Sequence, residues 1–323
     1  MTALRIYVDY SGSTEALSLL REETKGHELI FAHRPGGSVL HEAGADPKLA
    51  DADIAFGQPD PRGIENAHRL KWIQVSSSGI TRYDNPMFRA LMAKRQIAVT
   101  NSAGVYDEPC AIHALSFILA QSRCLPAGLA SRASNGSPEW NNLRNTCSLL
   151  RDKTILLVGY GAIGHRLAEL LKPFEAKVIA YRRKPRGDEN VPTISQEQLA
   201  AALATADHVV DILPDSAETR HFFNAARFAQ MKEDVVFYNI GRGATVDQPA
   251  LVDALRTRLA AAWLDVTEPE PLPNGHPLLN APNCFITPHI AGGHTDESGT
   301  LVRHFLKNFG RFLNNETLVD RVM

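Results

Sequence analysis

Only four cysteines occur in 323 residues, at positions 110, 124, 147 and 284, and none forms a C-x-x-C pair. That spacing supports neither a disulfide framework nor a zinc site, so no metal is expected. Scattered thiols suit a reducing compartment. No apolar run approaches the ~20 residues that a membrane-crossing helix needs. The opening Met1-Thr-Ala-Leu-Arg-Ile-Tyr-Val-Asp9 reads as a strand at once, with no room for a secretory segment. Together these features predict a cytoplasmic protein with no membrane partner. A dominant charge is missing too: 34 Lys and Arg against 36 Asp and Glu give a net charge of −2. A phosphate polyanion finds no general attraction in such a balance, and no nucleic-acid partner is expected. There is no solenoid repeat and no low-complexity tract. What is present is ordinary globular composition, 44% apolar and 22% charged, at a length suited to two domains.

Short apolar runs alternate with helical stretches over the first hundred residues. Strands are expected at 4–8, 28–32, 53–56, 70–75 and 97–100, with helices at 14–23 and 87–94. Such alternation predicts a parallel α/β sheet. A turn cluster at Asn101-Ser-Ala-Gly104 precedes an apolar helical stretch at 110–120. Residues 128–150 are polar and irregular and read as a surface arm. A second α/β series starts at Lys153, with strands at 154–158, 177–181, 208–213, 235–240, 260–266 and 284–287. A helix at 163–171 follows the first of these. A last helix is expected over 295–312, where Leu301, Phe305, Phe309 and Phe312 recur at helical spacing.

Within the second series, Val158-Gly159-Tyr-Gly161-Ala-Ile-Gly164 is a G-x-G-x-x-G loop between an apolar strand and a helix. In that context the motif signals a dinucleotide site. Gly159 permits the tight turn, Gly161 lets backbone approach a pyrophosphate, and Gly164 lets helix and strand pack. Ala162 and Ile163 open the helix whose N–H groups and dipole favour the phosphates. An NAD-binding strand commonly ends in an acidic residue ~20 positions on, which holds the ribose 2′-hydroxyl. Here the strand ends in Tyr181-Arg182-Arg183-Lys184-Pro185-Arg186. A guanidinium there suits a 2′-phosphate, because its planar fork meets phosphate oxygens in pairs. The expected cofactor is therefore NADP(H), through Arg182 and Arg183, with NAD(H) second. The other reading of the basic run is a solvated loop face.

Three downstream segments each end a strand: Asn239-Ile240-Gly241-Arg242-Gly243, Leu264-Asp265-Val-Thr-Glu268-Pro-Glu270-Pro, and Ile286-Thr287-Pro288-His289-Ile290. Ligands of open α/β sheets bind at such ends. An Arg, a carboxylate and a His are what reduction of a 2-oxo acid requires. The Arg pairs with the substrate carboxylate and polarises the carbonyl. The His supplies the proton that matches the hydride, and the carboxylate orients the imidazole.

In this order the motifs resemble the D-isomer-specific 2-hydroxyacid dehydrogenase family, across nearly the whole chain and most clearly from Lys71 to His289. The resemblance implies two doubly wound parallel-sheet domains, a Rossmann cofactor domain (103–291) inserted into a flavodoxin-like substrate domain (1–102 and 292–323). Small residues at Ser102-Ala-Gly104 and Ala291-Gly-Gly293 suit flexible crossovers. Arg242 matches the family's substrate-binding Arg and His289 its general acid/base. Glu270, five residues after Asp265, inherits the His partner's role, and Glu268 does not. Asp265 matches an acidic residue near the nicotinamide, and Ile240 and Gly241 are expected beside the cofactor. Val75-Ser76-Ser77-Ser78-Gly79-Ile80 looks like the family's substrate loop, with Ser78 and Gly79 donating backbone N–H groups.

The same resemblance implies a homodimer joined through the cofactor domain, with residues 105–150 as the contact. The chain departs from the family pattern at Asp152-Lys153-Thr154 and at Ile290-Ala291-Gly292-Gly293-His294. The reaction implied is interconversion of glyoxylate, hydroxypyruvate or a similar 2-oxo acid with its D-2-hydroxy acid. A dinucleotide-sensing scaffold, as in the family's corepressor branch, is the alternative. Formate oxidation is disfavoured, since that branch carries Gln at the position of Glu270. Trp140 reads as an interface anchor, His113 as a core residue and His294 as a loop residue.

Overall fold

The computed structural model describes residues 2–35, 44–187 and 189–323. The chain begins with β1 (Arg5–Asp9), α1 (Thr14–Glu23), β2 (Glu28–Phe31), β3 (Ile54–Gly57), α2 (Pro61–Ile64), β4 (Trp72–Val75), α3 (Pro86–Arg95) and β5 (Ala98–Thr100). It continues through α4 (Ala103–Ser122), α5 (Leu125–Ala130), α6 (Pro138–Thr146), β6 (Thr154–Val158), α7 (Ala162–Leu171), β7 (Lys177–Tyr181), β8 (Thr193–Ile194) and α8 (Leu199–Leu203). Then come β9 (His208–Asp211), α9 (Ala225–Gln230), β10 (Val236–Asn239), α10 (Gln248–Thr257), β11 (Ala261–Leu264), β12 (Cys284–Ile286) and the closing α11 (Glu297–Leu313). None of the helices, among the described residues, is long and apolar enough to cross a membrane.

Contacts divide the chain into Met1–Tyr106 with Gly293–Met323, and Asp107–Gly292. These divisions fall at 106/107 and 292/293, where the sequence reading places 102/103 and 291/292. The first unit holds a five-stranded parallel sheet in the order β2-β1-β3-β4-β5, the flavodoxin-like order. Its strands are apolar almost throughout because helices cover both faces. On one face α11 lays Val302, Phe305 and Phe309 against the sheet, and the Phe305 ring stacks on Phe56 and Trp72 at 4.6 and 5.3 Å. The opposite face is closed by Phe88 and Met92 of α3 with Ile64 and Tyr83.

The second unit is a seven-stranded parallel sheet, β12-β11-β10-β9-β6-β7-β8. Counted from β6 this is the Rossmann order with one added strand, and the order reverses between β6 and β9. Leu156, Val209 and Phe237 point to the face covered by α8, α9 and α10. Ile155, Leu157 and Tyr238 point to the face covered by α4 and α7.

Two expectations need correction. Ala103 and Gly104 are not a loose crossover: they begin α4, which starts seven residues earlier than the apolar run and carries Pro109 inside it. The arm at 128–150 is not irregular throughout, because it holds the second half of α5 and all of α6. Neither helix buries a residue, so no apolar periodicity marked them. The local signal at α6 was chemical: Ser137 accepts the Trp140 N–H as N-cap and Pro138 occupies the first turn.

Candidate active site

The three glycines of the dinucleotide loop have different causes. Gly159 sits at φ +102°, and a Cβ there would lie 2.8 Å from the Ile212 carbonyl oxygen. Gly164 packs so closely that a Cβ would lie 2.8 Å from the Gly159 oxygen. The fold itself requires both. Gly161 has ordinary φ, and among the described residues nothing lies within 4 Å of a Cβ built there. No packing contact among the described residues needs that glycine, whereas a pyrophosphate at the N-terminus of α7 would. Gly161 is the N-cap and no side chain caps the helix, so the N–H groups of Ala162 and Ile163 face that opening. The residues present therefore fit a dinucleotide.

At the end of β7 the expected phosphate ligands hold carboxylates. Arg182 Nη1 lies 3.2 Å from Glu189 Oε1, and Arg183 pairs with Glu218. Glu189 also accepts the N–H groups of Arg186 and Gly187 at 2.7 and 2.8 Å. Those donors, Arg186 first, hold its carboxyl below the usual carboxylate range.

Arg242 is positioned by its backbone. Asn239, buried at the end of β10, accepts the Gly241 N–H at 2.9 Å and donates to the Arg242 carbonyl at 3.0 Å. The flanking glycines are steric necessities: a Cβ on Gly241 would lie 2.6 Å from Leu213 O, and one on Gly243 would lie 2.0 Å from Thr267 O. The turn is thus wedged between the loops after β9 and β11. Ile240 is buried, so it and Gly241 offer a cofactor only backbone. The Arg242 guanidinium is partly buried, and among the described residues no carboxylate forms an ion pair with it. Burial lowers its pKa, opposed by Cys110, Glu270 and Asp215. A desolvated cation in this state favours an incoming anion.

The segment after β12 is gathered around Asp265. This carboxylate, 1% exposed, accepts Thr287 Oγ1–H at 2.6 Å and the N–H groups of Ile290 and Ala291, each at 2.9 Å. The Asp265 carbonyl accepts the His289 N–H at 2.9 Å. His289 is thereby fixed at φ +53°, in the left-handed region. Its Nδ1 lies 2.7 Å from Glu270 Oε1, which leaves Nε2 for another partner. Glu268 goes elsewhere, receiving both Nη atoms of Arg220 at 3.0 and 3.1 Å. Asp265, expected beside the cofactor, has both oxygens engaged by the His289 segment.

The structure brings Arg242, Glu270 and His289 into one neighbourhood of the second unit. In the first unit the Ser76–Ile80 loop is held from outside. Gln58 Nε2 donates to the hydroxyls of Ser76 and Ser77, and Asn101 Nδ2 to the Ser78 carbonyl. Among the described residues no acceptor takes the N–H of Ser78 or Gly79, which leaves a donor pair open to an anion.

Sequence reasoning missed several supports. Asn239 was legible as an Asx turn at a strand end. His113 is not a simple core residue: it is half-buried, with Nε2 3.3 Å from Thr287 Oγ1 and 3.6 Å from Asp265 Oδ1. Only three-dimensional proximity reveals that link. His294 lies on an exposed loop near Thr300, and Trp140 holds the Arg144 guanidinium over its ring.

Asp265→Ala would leave three donors without their acceptor. At ~1–3 kcal/mol for a buried unsatisfied group, a total loss of at least about 2 kcal/mol should lower Tm by roughly 4–8 °C. The turnover rate should fall with it. Calorimetry and steady-state assay check this, and unchanged values for both would remove Asp265 as the anchor.

Residues 115–291 match the family model described as D-isomer specific 2-hydroxyacid dehydrogenase, NAD binding domain. A glyoxylate reductase of Thermofilum pendens is 33% identical over 261 residues, 80% of this chain and 76% of the relative. The crystal structure of a D-isomer specific 2-hydroxyacid dehydrogenase from Xanthobacter autotrophicus, in complex with NADPH and MES, is 26% identical with a TM-score of 0.78, covering 100% of this chain and 98% of the other. An NADPH-dependent glyoxylate/hydroxypyruvate reductase from Sinorhizobium meliloti, in complex with NADP and malonate, is 25% identical with a TM-score of 0.73, covering 100% and 97%. The chain belongs to the D-isomer specific 2-hydroxyacid dehydrogenase family, NAD(P)-dependent oxidoreductases built on two parallel-sheet α/β domains.

Proposed function

We propose that the protein reduces a small 2-oxo acid of the glyoxylate or hydroxypyruvate class to its D-2-hydroxy acid, with NADPH as preferred cofactor and His289 as general acid. The observation that carries this reading is the 2.7 Å contact between His289 Nδ1 and Glu270, beside a guanidinium with no carboxylate partner among the described residues. The bound cofactor supplies a hydride to the carbonyl carbon. Arg242 pairs with the substrate carboxylate and draws electron density toward the carbonyl oxygen. Glu270 accepts the Nδ1 proton of His289, so that Nε2–H points to that oxygen and delivers the proton the new hydroxyl needs. Asp265 holds the loop in which this happens. The N–H groups of Ser78 and Gly79 form the anion-binding element of the first unit. The Thermofilum and Sinorhizobium relatives, named as reductases of this substrate class, support the choice of substrate.

His289→Ala should lose roughly 10²–10⁴-fold in kcat, the usual worth of a positioned acid, while cofactor binding survives. Glu270→Gln should lower kcat. Glu268→Gln, which disturbs only an exposed pair with Arg220, should leave kcat within about twofold. Kinetics with glyoxylate decides it: near-wild-type turnover in His289→Ala sinks the assignment.

NADPH preference rests on Arg182 and Arg183, and Arg183 ranks first because its partner Glu218 is well exposed and readily displaced. A charge-assisted phosphate contact contributes ~1.5–3 kcal/mol, so kcat/KM should favour NADPH at least about tenfold. Arg183→Ala should erode that preference and spare NADH. Gly161→Ala, which the fold accommodates, should weaken both cofactors alike. A wild type that prefers NADH makes the arginines a solvated loop.

We also propose a cytoplasmic homodimer. Ile112, Leu125, Leu129 and Leu149, exposed by 47, 48, 78 and 69%, leave an apolar region on and beside α4 and α5 that a second copy would cover. Sedimentation velocity at micromolar concentration should give a dimer, and a monomer there removes this part.

A further inference from the structure

The loop after β9 touches both functional turns. Gly159 packs against Ile212, and Gly241 against Leu213. At its root lies Asp211, fully buried, with no role in the chemistry described above. Its Oδ1 accepts the Leu213 N–H at 3.0 Å. Its Oδ2 lies 2.5 Å from Thr245 Oγ1, and Thr245 Oγ1 lies 2.6 Å from the Arg242 carbonyl oxygen.

Both distances are hydrogen-bond lengths for oxygen pairs. A threonine hydroxyl carries one proton, and a carbonyl and an ionised carboxylate carry none. With Asp211 ionised, one of the two contacts would be a bare oxygen–oxygen repulsion at 2.5 or 2.6 Å. With Asp211 protonated, both are satisfied: Asp211 donates to Thr245, and Thr245 donates to the Arg242 carbonyl.

We propose that Asp211 works as a neutral carboxylic acid and is a positioning residue, holding the Arg242 turn through Thr245. The inference rests on the reading of Arg242 as receiver of the substrate carboxylate. The surroundings agree. Its register partners are Val158 on β6 and Asn239 on β10, both uncharged. Neither Arg242 on the turn, nor Asp207 and Asp215 on either side of Asp211 in the chain, acts on its titration. Burial, the largest influence, raises its pKa to about 7 against the Thr245 and Leu213 hydrogen bonds. Above that point Thr245 must turn its proton toward the carboxylate. The Arg242 carbonyl then loses a donor, and the turn loosens.

Asp211→Asn preserves the pattern, since an amide N–H can donate to Thr245 and its oxygen can accept from Leu213. Asp211→Ala breaks it. The KM of the wild type for glyoxylate should rise with pH through the titration, while that of Asp211→Asn stays flat. Asp211→Ala should raise KM roughly tenfold or more at about pH 6, as a displaced binding group does, and Asn should restore most of that loss. The infrared difference spectrum of wild type minus Asp211→Asn should show a protonated-carboxyl carbonyl stretch at about pH 6 that is gone by about pH 9. Absence of that band at the lower pH overturns the proposal, as does an Asn variant as impaired as the Ala variant. The band reads the proton without reference to Arg242. Arg242→Lys, assayed in parallel, tests the other reading separately: an unchanged KM there fails the substrate assignment and leaves the infrared result standing.

Discussion

Asp265 receives Thr287 Oγ1–H and the N–H groups of Ile290 and Ala291 on its carboxylate, and the His289 N–H on its carbonyl. The second unit's chemistry depends on this set of contacts. A β-substituted residue held at φ +53° costs of order 1–3 kcal/mol and persists only where its surroundings over-determine it. Here four hydrogen bonds from one residue do so. Asp265 also follows directly on β11 and begins the proline-rich segment that delivers Glu270, so one side chain and its own backbone locate both partners of the His289–Glu270 pair. The imidazole then needs only a single further contact to be oriented, and Glu270 supplies it at 2.7 Å.

Close backbone approach is the second constraint, and it explains why the motifs are spaced by glycine. Gly159, Gly241 and Gly243 each lie where a Cβ would collide with a carbonyl of a neighbouring loop. The ends of β6, β9, β10 and β11 are thereby pressed into one rigid edge, with the Ile212–Leu213 segment meeting both Gly159 and Gly241. Gly161 is the exception, with open space before it, and it is the glycine that a ligand explains. One six-residue motif therefore mixes two glycines that the fold requires with one that no packing contact among the described residues requires, and only the geometry separates them.

Much of this was legible in the sequence. Most strands of both sheets are largely apolar runs, and burial on both faces writes itself into such runs directly. The choice of Glu270 over Glu268 came from the family resemblance, which sets the carboxylate five residues after Asp265, and the Arg220 pair shows what the other carboxylate does instead. The arm helices escaped because a helix with no buried face carries no apolar period. The supporting network escaped for a different reason: Asp211 with Thr245, and His113 with Thr287, are separated by 34 and 174 residues and meet only in the folded chain. A buried carboxylate at the end of an apolar strand was visible as a residue type, but its partner was not.

The basic run at the end of β7 shows how much an ion pair can change the meaning of a charge. Arg182 and Arg183 both hold carboxylates, yet the two pairs are unlike. Glu189 also takes two backbone N–H groups, so its contact with Arg182 shapes the loop and is costly to exchange. Glu218 and Arg183 are both well exposed, and a surface pair of this kind contributes only ~0–1 kcal/mol. The run carries four basic residues, Arg182, Arg183, Lys184 and Arg186, against the two described carboxylates that pair with it, Glu189 and Glu218. A 2′-phosphate of about −1.5 to −2 charge would thus meet surplus positive charge even with the Glu189 contact intact. It need displace only the weaker carboxylate. On the proposed NADPH reading, the loop would keep its internal ion pair for structure and use Arg183 for recognition.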